Sequence, residues 1–276
     1  MLGIARRLAQ GGREAVLLKG AAGLFQKPYE HPAIRVMHDL DLFVSPDDRK
    51  AAREILARMG YRLLGSERRH DIYLQPRRDI RIEVHHRPLD AFLAREDADA
   101  LNRRYWSRRT PLAEGPRSLF TLAPEDSLFF HIYHAAVHHT CWIYESPYTL
   151  LEFIVLNRLH GGARVVDGLL EEAVRVGLAP FFLTFLHILK EKTGWQDGAP
   201  PPLPQRHREA LELFIRRETL APAMHGLHIR RLILGGFEEG AGRRCRRLLQ
   251  MALLDIGDLR EAALARFGAR PRGASF

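Results

Sequence analysis

Cysteine is nearly absent, with Cys141 and Cys245 the two in 276 residues. Two thiols cannot build a disulfide framework, which excludes small cross-linked secreted scaffolds and fits a reducing compartment. Lysine is scarce too: Lys19, Lys27, Lys50, Lys190 and Lys192 are five of the 42 basic residues, leaving 42 − 5 = 37 arginines. So lopsided a ratio reflects genomic base composition as readily as phosphate recognition, so basicity alone does not point to nucleic acid. Long apolar runs are also missing. The best, residues 181–189, is interrupted by Thr184 and His187 and falls short of the ~20 residues that cross a bilayer. Nor does the stretch from Met1 to Arg7 hold an apolar core of signal-peptide length. These absences predict a cytoplasmic protein with no membrane partner. At 46% hydrophobic and 27% charged, the chain is neither low-complexity nor disordered in composition.

What charge there is lies unevenly. Lys and Arg outnumber Asp and Glu by 42 to 33, a net of +9. Residues 1–120 carry 23 basic and 16 acidic residues, or +7, and residues 121–276 carry 19 and 17, or +2. An anionic ligand is therefore favoured in the first part of the chain. Pairs such as Arg68-Arg69, Arg77-Arg78 and Arg103-Arg104 form no nucleic-acid motif.

The same division shows in periodicity. Residues 15–18 are a brief apolar strand ending at Lys19-Gly20, and residues 39–44 begin with strand-like alternation. Ser45, Pro46, Asp47 and Asp48 predict a helix start, with Ala51, Ile55, Leu56 and Met59 as its apolar stripe and Gly60 at its end. Residues 61–64 are extended, and 72–74 with 80–85 suggest a hairpin. Beyond Pro124 the spacing turns helical over 128–139, 149–160, 169–176 and 180–190, then over 209–215 and 246–267. A proline-rich stretch at 199–204 punctuates them. The prediction is an α+β fold: a mixed β-sheet domain with flanking helices over residues 1–120, then an all-helical domain over 121–276.

On the predicted strand at 39–44, Asp39 and Asp41 share a face while Leu40 and Leu42 take the other. Two carboxylates about 7 Å apart along a strand repel unless a cation lies between them, which is what a divalent metal with phosphate co-ligands requires. Arg81, Glu83 and His85 share one face of their strand, with Ile80, Ile82 and Val84 on the other. Should that strand pair beside 39–44, Glu83 becomes a third carboxylate, and three acids can hold two ions for displacement at phosphorus. Lys19, Gly20 and Ala21 close a strand and open a helix, which presents amides and a positive dipole end to phosphate. Lys19 adds a point charge and Arg35 a planar fork. His85 could orient Glu83 or meet a phosphate; His86 and Arg87 simply end the strand.

The run from Leu17 through Lys19, Gly20 and Ala21 to Leu24, then Tyr29, then Arg35 through Asp39 and Asp41 to Val44 resembles an uncharacterised nucleotidyltransferase family. That family belongs to the DNA polymerase beta-like superfamily. Met59, Gly60 and Tyr61, and later Ile82, Glu83, Val84, His85 and His86, fit the same pattern in the same order. Gly20-Ala21 stands where the wider superfamily has Gly-Ser. The resemblance implies a nucleotidyltransferase-type mixed sheet whose metal-binding and catalytic acids are Asp39, Asp41 and Glu83, with Gly20 on the phosphate-facing turn. It implies Mg²⁺ or Mn²⁺ as cofactor and an NTP, expected to be ATP, as co-substrate. The acceptor, held partly by the helical domain, is left open among a protein, an RNA end and a small molecule.

His131, His134 and His138 fall at i, i+3 and i+7 and predict one polar helix face. With His139 and Cys141 they match no zinc spacing, and a packed, hydrogen-bonded face is the simpler reading. Glu145 and Glu152, near Trp142 and Tyr144, receive no role. The competing function is a non-catalytic nucleotide- or RNA-binding protein on the same scaffold.

Overall fold

The structure, a computed structural model, describes residues 2–26, 37, 39–76, 80–112, 117–138, 147–196 and 205. Arg35, Tyr29, His139, Cys141, Trp142, Tyr144, Glu145, Cys245, the 199–204 stretch and the predicted helices at 209–215 and 246–267 lie outside them.

Helix α1 (Leu2–Gln10) buries Ile4, Ala5 and Leu8, three- and four-residue neighbours on one face. Strand β1 (Ala15–Leu17) is wholly buried. The chain turns at Lys19, whose φ of 47° is left-handed, into α2 (Lys19–Gln26). Strand β2 (Asp39–Phe43) leads through a 3₁₀ turn at Pro46–Asp48 to α3 (Arg49–Arg58). The predicted Ser45 cap makes no side-chain hydrogen bond. Asp48 is drawn instead to Arg13 at 2.6 Å, and the α-helix starts three residues later than Pro46 suggests. Gly60, at φ 81°, ends it as expected.

Strands β3 (Arg62–Ser66), β4 (His70–Gln75) and β5 (Ile80–His85) follow as an antiparallel meander. Helix α4 (Arg95–Ser107) precedes the short β6 (Thr110–Pro111) and β7 (Leu119–Thr121). Helix α5 (Pro124–Tyr133) runs on as a π-helical turn at His134–His138, and α6 (Pro147–His160), α7 (Ala163–Arg175) and α8 (Ala179–Thr193) complete the described chain. A mixed sheet with flanking helices, followed by helices, is what the sequence predicts.

The seven strands form one sheet in the order β3-β4-β5-β2-β1-β7-β6. Its centre is mixed: β2 pairs parallel with β5 and antiparallel with β1, and β1 pairs parallel with β7. Alternation sends successive residues to opposite faces. Leu17, Leu42, Ile82 and Val84 meet Ile4 and Leu8 of α1 and Ile55 and Leu56 of α3. Val16, Leu18 and Phe43 meet a second core containing Leu101 of α4, Phe129 and Phe130 of α5, and Phe181, Phe182 and Phe185 of α8. Phe43 packs edge-on against Trp106 at 5.3 Å. The acids of β2 share the face of Phe43, toward the helical layer.

Candidate active site

The pairing of β2 with β5 supplies the condition the sequence left open. Asp39 lies opposite Arg81, Asp41 opposite Glu83, and Phe43 opposite His85. Parallel register with matching parity puts both carboxylates and the imidazole on one face. One ligand atom from each of Asp41, Glu83 and His85 falls within 4.8 Å of the others, the one such group among the described residues. Asp39, half-buried at the start of β2, lies outside it. The sequence placed Asp39 in the metal-holding trio and His85 on the phosphates; the tightest grouping sets His85 beside Asp41 and Glu83, with Asp39 two residues away on β2. Two carboxylates and an imidazole are a donor set that fits a divalent cation.

Asp41 is the electrostatic centre. It is 2% exposed, and its Oδ1 accepts hydrogen bonds from Lys19 Nζ at 2.8 Å and His85 Nε2 at 2.9 Å. Burial pushes its carboxyl up, but the Lys19 ammonium and the His85 contact outweigh that and hold it well below the usual carboxylate range. Asp39 shifts the other way: burial, then the charge of Asp41, raises it against the pull of Lys19. The two acids of the D-x-D pair are thus unlike, one held ionised and one made more basic. Glu83 accepts a 2.8 Å bond from Arg81 Nη2.

Sequence reasoning missed His70. It is 4% exposed on the neighbouring strand β4, paired with His85 in the register, with ring centroids 5.0 Å apart. Burial, with the charges of His85 and Arg69, pushes it down to about 3, so it is neutral. The available signal was the meander: with β4 antiparallel to β5, a histidine at the start of β4 meets one at the end of β5.

The turn expected to face phosphate opens α2. Gly20 and Ala21 are buried in the first turn of α2. Ala21 donates its amide to Leu18 O at 3.1 Å, so that amide is engaged within the turn rather than offered to a ligand. Its neighbour Lys19 both binds Asp41 and lines a small open cleft. Gly23 and Gln26 of α2, Phe130 and His131 of α5, and Glu152 of α6 face that cleft.

The histidines of α5 are not gathered around a point. His131 Nε2 donates to Thr149 O at 2.9 Å, and Arg69 Nη1 lies 2.8 Å from His138 Nε2. The π-helical winding from His134 breaks the i, i+3, i+7 alignment, and the described members join no metal-ligand group.

No helix among the described residues is long and apolar enough to cross a membrane. The chain belongs to the family described as "Uncharacterised nucleotidyltransferase", whose model matches residues 1–194. No curated protein matches. Two solved structures are similar. One is the solution structure of the antibiotic-resistance factor ANT(2'')-Ia, 16% identical over 64% of this chain and 89% of that one, with a TM-score of 0.47. The other is the crystal structure of ANT(2'')-Ia in complex with adenylyl-2''-tobramycin, 15% identical over 62% and 94%, also at 0.47.

Proposed function

We propose that this protein is a metal-dependent nucleotidyltransferase that moves a nucleoside monophosphate from an NTP, ATP being expected, to an acceptor and releases pyrophosphate. The carrying observation is the β2–β5 register, which sets Asp41 against Glu83 beside the Lys19 ammonium, within a member of a nucleotidyltransferase family. The acceptor nucleophile forms a bond to the α-phosphorus. The bond from that phosphorus to the bridging oxygen breaks, its electron pair leaves with pyrophosphate, and the acceptor's proton passes to solvent.

Asp39, Asp41 and Glu83 would hold the Mg²⁺ or Mn²⁺. When bound, that ion supplies positive charge to the phosphoryl oxygens and makes the acceptor hydroxyl more acidic. Lys19 and Arg35 balance the charge of the departing phosphates. Gly20 and Ala21 start α2 without bulk, so the chain can approach a phosphate closely, and His85 completes the polar floor beside Asp41. The cleft between α2, α5 and α6 receives the acceptor, so residues 121–276 carry acceptor or partner choice and residues 1–120 the chemistry. A protein, an RNA end or a small molecule fits this division.

Incubation with labelled NTPs, Mg²⁺ or Mn²⁺ and cell extract tests the reading. The expected result is label on a discrete acceptor in proportion to pyrophosphate formed. Nucleotide binding with no transfer to any acceptor would favour the binding protein instead.

A further inference from the structure

We infer that His85 is itself a metal ligand, so that Asp41, Glu83 and His85 make a mixed oxygen and nitrogen site for a first-row transition ion in preference to Mg²⁺. This deepens the proposed transfer and rests on its premise that the acid cluster takes a divalent cation. The three donor atoms lie within 4.8 Å of one another. The imidazole is 4% exposed, with Nε2 2.9 Å from Asp41 Oδ1 and 3.7 Å from Glu83 Oε2. Its Nδ1 has no hydrogen-bond partner, so the polar engagement of this buried ring runs through the nitrogen aimed at the carboxylates.

The surroundings fit. His70 lies against the His85 ring at 5.0 Å and steadies it from the next strand. Lys19 Nζ and His85 Nε2 reach the same Asp41 oxygen, at 2.8 and 2.9 Å, so Lys19 supplies the positive charge the cluster needs when no ion is bound. Chemistry then selects the ion. Mg²⁺ takes oxygen ligands and gives up its waters reluctantly, whereas imidazole nitrogen favours transition ions, with affinity rising along the first row from Mn²⁺.

Mn²⁺ alone, added to the full chain and examined by pulsed EPR, reads the ligand directly. The expected spectrum shows coupling to one imidazole ¹⁴N that His85→Gln and His85→Asn abolish and His70→Gln leaves in place. By equilibrium dialysis, the ratio of Co²⁺ to Mg²⁺ affinity should fall at least about tenfold in folded His85→Gln, as loss of a ligand-level contact does. No bound Mn²⁺, bound Mn²⁺ without nitrogen coupling, coupling that His70→Gln removes, or an unchanged ratio would each overturn the assignment. Should the His85 variants fail to fold, the wild-type spectrum decides. A Mn²⁺ site without nitrogen that Asp41→Asn still destroys sinks the His85 ligand and spares the transferase. Mn²⁺ binding untouched by Asp41→Asn sinks the shared premise.

Discussion

Asp71 shows how one buried carboxylate is held outside the candidate site. It is 1% exposed and receives paired bonds from two guanidinium groups, Arg49 at 2.7 and 3.1 Å and Arg53 at 2.7 and 2.7 Å. Burial works to raise its carboxyl, but the bonds from Arg53, Arg49 and Ser66 hold it well below the usual range. A depressed folded-state pKa means the unfolded chain binds the proton more readily. The stability from Asp71 is therefore full above the unfolded value of about 4 and declines as pH falls below it. Asp71→Asn should cost about 2 kcal/mol near neutral pH, less than a fully buried pair because both arginines are about a third exposed. Thermal unfolding between pH 3 and 7 should show a shallower acid-side decline in the variant than in the wild type, the remainder coming from other depressed carboxylates such as Asp41. Residues on one strand were legible because alternation is local: Asp39 with Asp41, and Glu83 with His85, follow from parity. The Lys19 contact to Asp41 was not, since it depends on a left-handed turn at a non-glycine residue, which no periodicity announces.

At the scale of elements, Arg104 of α4 ties three helices together. It reaches Asp126 of α5 at 3.0 Å and Glu172 of α7 at 2.6 Å, and Asp126 is 1% exposed. Removing the arginine leaves a buried carboxylate without its nearest cation. Arg104→Ala should cost about 3 kcal/mol, a fall in melting temperature of roughly 6–12 °C for a chain of this size. Asp126→Asn in the same background should restore part of it, because the stranded charge is then gone. An unchanged melting temperature in Arg104→Ala would show that the tie carries no load. Strand and helix types were mostly readable where apolar spacing is strong, as in α3, β5 and α8. Helix α4 was not, because its sequence is rich in Arg, Asp and Glu and shows only Ala98, Leu101 and Tyr105 as buried apolar positions. The π-helical turn at His134–His138 was equally hidden, since a one-residue change of winding leaves no compositional mark. The partner of β2 could be stated only as a condition, because register between strands far apart in sequence is set by the whole sheet.

Over the whole molecule, the apparent boundary near residue 120 is a change of secondary structure across which one core continues: Val16, Leu18 and Phe43 of the sheet pack with Phe129, Tyr133 and Phe181 of the helices. The +9 charge is concentrated as +7 in residues 1–120, the part of the chain that also holds Asp41, Glu83 and His85. The proposed transfer requires a cation and a triphosphate together. Mg²⁺ or Mn²⁺ added with NTP should raise the melting temperature more than either alone, by the equivalent of about 2.7 kcal/mol at a hundred times Kd; equal effects of NTP with and without metal would contradict the coupling. NTP labelled at either the α- or the γ-phosphate, given to the wild type and to Asp41→Asn with Mn²⁺ and acceptor-containing extract, distinguishes nucleotidyl transfer at this acid cluster from other phosphate chemistry. The wild type should pass on α-label and never γ-label, and the folded variant should be slower by at least about a hundredfold. Transfer of γ-label, or α-label transferred as fast by Asp41→Asn, would contradict it.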